Sequence, residues 1–138
     1  GSIYAVGDTA LLRASSSDYS FSEDNYQGRQ LTAFRLGAGR AFLSISAYEH
    51  AGASTLLAYG SSGEEPVRME VQKRIESVSV YGGTVGVLAG GEAVFFDYST
   101  GKELGRADAG GDAKALALSS ESAAYVLGVS EVRALRAE

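Results

Sequence analysis

The apolar positions of this chain fall in short, valine-rich runs separated by glycine turns, a pattern that points away from helical bundles and toward strands joined by tight turns. Its clearest stretch is Ile75 to Ala109. Val78 and Val80 alternate there with Ser77, Ser79 and Tyr81, and Tyr81 to Thr84 supplies a turn that tolerates positive φ. Val85, Val87 and Ala89 alternate with Gly86, Leu88 and Gly90, and the pair Gly90 and Gly91 turns the chain into a third run, Val94 to Tyr98. Ser99 to Lys102 turns it again. Glu103 to Ala109 then reads as a short, mostly polar fourth strand suited to a solvent-facing edge. Four short antiparallel strands in about forty residues is the size of one β-propeller blade.

The same unit recurs on both sides. Downstream, Ser77 matches Ala115, Val80 matches Leu118, Gly90 matches Gly128 and Val94 matches Val132, all at a spacing of 38. Upstream, Ala33 matches Ser77 at a spacing of 44, whereas Gly63 matches Gly101 and Arg68 matches Arg106 at 38. The difference is the length of Tyr48 to Ala53, an insertion in the hairpin between the second and third strands. Ile3 to Arg13 aligns with the second and third strands when Leu11 is set on Val94, so that blade lacks its first strand. Ser15 to Arg29 is either a long loop or an irregular outer strand with a loop.

The expected fold is therefore all-β, a β-propeller fragment of about three to three and a half four-stranded antiparallel blades. Residues 1–2 read as an expression scar and residues 3–138 as a single partial propeller domain, with blades at 3–29 (partial), 31–71, 75–109 and 113–138 (partial). A closed ring takes about four to eight blades. Three arrangements stay open: a ring completed by partner chains, a fragment of a longer propeller, or an open array with exposed edges. One version has two copies meeting end to edge as a ring of seven blades.

Composition narrows the chemistry. A formal net charge of −5 over 138 residues and a pI near 4.9 argue against nucleic acid and anionic membrane surfaces as partners. With no cysteine, disulfides and thiolate chemistry are excluded. No apolar run approaches the roughly 18 to 20 residues of a membrane span, so a membrane link is expected only through a segment outside this sequence.

Within the repeat, "D-Y-S-T-G-K-E-L" (Asp97 to Leu104) follows the third strand. With the alternating strands and small-residue turns, it resembles the YVTN/PQQ/WD40-like propeller repeats, in which "D-x-x-T-G-K" holds that place. Ile3 to Glu138 also resembles the C-terminal half of an uncharacterised clostridial family that carries a membrane anchor before a propeller. That resemblance implies an extracytoplasmic, membrane-anchored protein whose N-terminal blades lie outside this chain. The chain departs from the pattern in having no tryptophan, and hence no WD dipeptide, and in the copy Gly60 to Pro66, which keeps Ser62 and Gly63 but not the lysine.

Candidate sites are few. His50 is the sole histidine; it lies in the insertion, and no G-x-S-x-G nucleophile motif accompanies it, so a surface role is favoured. Asp18, Glu23, Asp24 and Asn25 offer oxygen ligands without the spacing of an EF-hand loop, so a solvated acidic loop is favoured. The glycine pairs lack the Gly-Lys-Ser/Thr or helical continuation of a phosphate loop and read as turns. Gly86 and Gly90 share a face on which close blade packing is expected. Tyr19, Phe21, Glu23, Asp24, Tyr26, Tyr48, Glu49 and His50 occupy the two segments that depart from the repeat and form the candidate interaction loops. For the tyrosines among them the other reading is cover over apolar surface at the blade edge. Tyr59, Tyr98 and Tyr125 are expected to pack, and Arg68 and Arg106 to share a structural role.

The resulting expectation is a non-catalytic propeller acting as an interaction or assembly module, with no catalytic, cofactor or metal residues. Its partner is another protein or a second copy meeting the open blade edges. The alternative is a small-ligand sensor or enzyme whose site lies in the central channel of a completed ring.

Overall fold

Side chains alternate between the two faces of a strand, so a strand apolar at consecutive positions needs cover on both sides. The computed structural model provides that cover by stacking sheets. It describes residues 2–7, 10–15, 21–26, 29–37, 40–46, 52–60 and 65–137, and every regular element among them is a strand. The first sheet holds β1 (Ser2–Val6), β2 (Ala10–Ser15) and β3 (Phe21–Asn25). In the second are β4 (Gln30–Gly37), β5 (Arg40–Ser46), β6 (Ser54–Tyr59) and β7 (Val67–Val71). The third is built from β8 (Ile75–Tyr81), β9 (Thr84–Ala89), β10 (Glu92–Asp97) and β11 (Lys102–Asp108). A fourth follows from β12 (Ala115–Leu118), β13 (Ala123–Leu127) and β14 (Val132–Arg136). Within each sheet the strands lie in chain order and pair antiparallel. Ser15 to Arg29 thus supplies an outer strand, β3, rather than loop alone.

Three apolar layers hold the sheets together, and the alternation assigns residues to them. On β5, Ala41, Leu43 and Ile45 pack toward the first sheet with Leu11, Tyr26 and Tyr59, whereas Phe42 packs toward the third. On β9 and β10, Val85, Val87, Ala89, Val94 and Phe96 face the second sheet. Leu88, Ala93 and Phe95 face the fourth, against Leu116, Ala124 and Val126. Burying a side chain the size of Phe42 or Phe95 contributes on the order of 2–3 kcal/mol.

The innermost strands also touch, β8 lying against β4 on one side and β12 on the other. Serines tie these contacts: Ser77 Oγ and Ser79 Oγ accept from the Leu116 and Leu118 amides at 3.2 and 2.9 Å, and Ser54 Oγ accepts from the Ile75 amide at 3.0 Å. An amide of one sheet is thus satisfied by a hydroxyl of its neighbour, which fixes the stacking register. At Gly86 an added Cβ would lie 2.8 Å from Leu118 Cδ2, so the missing side chain does admit the next blade. Gly90 differs from the expectation. It has φ +57 and belongs to the β9–β10 turn, where an added Cβ would run into the Lys73 side chain.

The repeat spacing also needs correction. Leu116 follows Val78 by 38 residues, but its cross-strand partner Val126 follows Val87 by 39. The hairpin between β12 and β13 is one residue longer than that between β8 and β9, so structural equivalence beyond it runs at 39 and the matches of Gly90 with Gly128 and Val94 with Val132 are out of register. Since a one-residue slip exchanges the two faces, Arg133, not Val132, takes the place of Val94. Leu11 likewise sits on the face turned to the following sheet, which is Ala93's face, not Val94's.

Candidate functional site

The D-Y-S-T-G-K stretch is built as a turn. Asp97 Oδ1 accepts from the Ser99 amide at 2.9 Å and the Ser99 hydroxyl at 2.6 Å, and the Gly101 amide donates to the Asp97 carbonyl at 2.8 Å. The Ser99 bonds hold the Asp97 carboxyl below the usual carboxylate range. Gly101 has φ +80, and its α-carbon side faces the Arg68 carbonyl of the second sheet, which a Cβ would meet at 3.1 Å. The motif therefore shapes the chain reversal and the close approach of two sheets.

Beside it, Tyr98 clasps the second and third sheets. Its ring takes Phe42 edge-on at a centroid distance of 5.2 Å, lies 5.1 Å from the Arg40 guanidinium carbon, and its hydroxyl donates to the Gly82 carbonyl at 2.8 Å. Arg106 pairs bidentately with Glu103 at 2.9–3.0 Å. Arg68 instead lines a recess of about 50 Å³ with Asn25, Arg29 and Tyr59. A recess of that size has room for water rather than a metabolite. Among the described residues no group of three or more His, Cys, Asp or Glu is placed to hold a metal ion, and no helix is long and apolar enough to cross a membrane.

The candidate loop residues separate. Tyr19, Tyr48, Glu49 and His50 lie outside the described residues. Phe21, Glu23 and Asp24 fall on β3, and Glu23 is exposed. Tyr26, 2% exposed, sits in the layer between the first and second sheets, so it packs rather than presents a contact. Tyr59 is buried as expected, but Tyr125 is 52% exposed.

Tyr125 belongs to the surface that sequence reasoning missed. Across β13 and β14 the fourth sheet turns Tyr125, Leu127 and Val132 to solvent, 52%, 49% and 65% exposed. At the other end Ile3 is 68% exposed on β1, and Phe34 and Leu36 are 52% and 46% exposed on β4, beside the innermost position of the first sheet, for which the described residues supply no strand. The matching Val78 of β8 is covered by β4 and is 6% exposed. The signal available in sequence was the 38-residue repeat read with its one-residue shift.

Meander sheets stacked in chain order with innermost strands converging define a partial β-propeller. Solved structures share this fold. Over 99% of this chain, the structure matches a chain of the Mitotic Checkpoint Complex with a TM-score of 0.68 at 11% identity; over 97%, it matches Hsv2p of Kluyveromyces lactis with a TM-score of 0.58 at 11% identity. Both are WD40 β-propeller proteins, and this chain spans 43% and 48% of their lengths. The computationally designed Ika4 protein matches over 95% of this chain and 81% of its own, with a TM-score of 0.68 at 17% identity. No protein-family model and no curated protein sequence matches the chain.

Proposed function

We propose that this chain is a non-catalytic interaction or assembly module that engages other protein surfaces through the uncovered faces at the two ends of its stack. The observation that carries this is the fourth sheet, where Tyr125, Leu127 and Val132 make one apolar patch on a face that the preceding sheets bury. Patches of this kind mark association sites. An extracytoplasmic setting, with an anchor supplied outside this sequence, is the companion proposal; its support is the resemblance of Ile3 to Glu138 to the C-terminal half of the clostridial membrane-anchored propeller family.

The test joins binding to ligand screening. A Tyr125→Glu substitution is expected to abolish association while leaving the thermal midpoint of the monomeric chain, measured at high dilution, unchanged. A screen of metals, sugars and nucleotides is expected to leave that midpoint unmoved, and a saturable upward shift with one of them, accompanied by turnover, would replace the module reading with the channel-site alternative.

A further inference from the structure

The face that each sheet turns to its successor is built to one plan. At its centre a cross-strand pair joins one aromatic to one small residue: Phe42 with Ala58 in the second sheet, Phe95 with Gly86 in the third, Tyr125 with Ala134 in the fourth. Phe42 and Phe95 are fully buried under the next sheet, whereas Tyr125 stands 52% exposed. The neighbouring pair repeats the contrast, since Leu56 and Leu88 are fully buried but Leu127 and Val132 are not. The fourth sheet therefore presents an inter-blade face. The first sheet presents the complement: Ile3, Ala5 and Leu12 lie on the face that later sheets turn toward their predecessors.

We infer that the occupant of the open face is the first sheet of a second copy of this chain, an inference that rests on the assembly-module reading. Strand content fits this occupant. The large apolar residues of the open face lie on β13 and β14, the second and third strands of their sheet, and the first sheet possesses those two strands. β12 offers that side only Ala115 and Ala117, opposite the innermost position for which the described residues of the first sheet supply no strand. Charge fits as well, with Arg136 exposed on the open face of β14 and Glu23 exposed beside Leu12 on the outward face of the first sheet. Two copies joined head to tail twice stack eight sheets. That is the upper end of the usual range for closed propellers, rather than the seven blades that strand counting suggested.

Sedimentation of the chain from micromolar to hundreds of micromolar tests this. The expected result is a closed species of twice the 14.3 kDa chain mass. Tyr125→Glu and Ile3→Glu should each weaken it by at least about 30-fold, the size of a hot-spot loss, with circular dichroism unchanged; Val132→Glu serves as a second variant on the same face. Because the contact is heterologous, mixing the Tyr125→Glu and Ile3→Glu chains should restore a one-to-one pair through the single intact junction. Glu23→Arg should recover association lost in Arg136→Glu. A monomer throughout, an open polymer, or a dimer indifferent to Tyr125→Glu would overturn the inference. If the monomeric chain nevertheless binds a different protein through Tyr125, the module reading stands and only the second copy is refuted.

Discussion

The third and fourth sheets are copies of one repeat in opposite surroundings. Along β9 every residue from Thr84 to Ala89 is buried, and β10 is buried from Ala93 to Phe96. In β13 and β14 burial alternates residue by residue. The chain supplies a similar meander in both places, and the difference lies in the number of neighbours. Two covered faces turn alternation into a continuous apolar run. With one bare face, Tyr125 is left where the second sheet buries Phe42. Burial is thus a property of position in the stack more than of the strand itself.

The sharpest way to break this comparison is to truncate the two equivalent aromatics. Phe42→Ala should destabilise the fold by about 3–5 kcal/mol through lost burial and a residual cavity. Tyr125→Ala should stay within about 0.5 kcal/mol when the chain is monomeric. Urea denaturation measures both, and equal losses would refute the idea that Tyr125 lies on an uncovered face.

A smaller effect is expected from filling the third sheet's close contact. With only 2.8 Å between the added Cβ and Leu118, Gly86→Val should cost about 1–3 kcal/mol by overpacking, and a thermal midpoint that does not fall would show that the fourth sheet rides loosely on the third. Ser79→Ala removes the acceptor of the Leu118 amide, a loss of roughly 1 kcal/mol. Hydrogen exchange at Leu118 should quicken while β9 amides keep their protection.

The mildest lever is pH. Arg133 reaches from β14 to Asp112 at 2.8 Å, to the Ala109 carbonyl at 2.7 Å and to Glu131 at 2.9 Å, joining the fourth sheet to the end of the third. The Arg133 hydrogen bond, helped by the Val129 amide, holds the Asp112 carboxyl below its ordinary value. A depressed folded-state value means that this contribution is complete above the unfolded carboxylate pKa, near 4, and is lost as pH falls through the folded one. Acidification below about pH 4 should therefore loosen β12–β14 before β8–β11 in hydrogen exchange, and Asp112→Asn should flatten that pH dependence.

Much of the strand order was legible because its signals are local. Val78 and Val80 against Ser77 and Ser79 announced a strand, the glycine pairs announced turns, and Tyr48 to Ala53 was recognisable as an insertion from the change in spacing. The face each residue occupies was less legible. One extra residue in the β12–β13 hairpin shifts every later match, and nothing in Ala124, Tyr125 or Val126 marks which side meets the third sheet. Tyr26 and Tyr125 show the same limit at the candidate surface: the first was placed among the contact loops and is buried, the second was expected to pack and is exposed. A tyrosine suits both settings, having an apolar body and a polar tip, so its type could not choose.

By itself the sequence determined the all-β class, the blade-sized repeat, most of the turns, and an acidic net charge without thiol chemistry, because alternation and glycine placement act over a few neighbouring residues and charge and cysteine content are matters of composition. Only the tertiary structure decided which alternating set is buried, which aromatics meet a following sheet, and which faces are bare among the described residues. Those outcomes depend on a partner sheet tens of residues away, and a strand carries no local mark of whether that sheet is there.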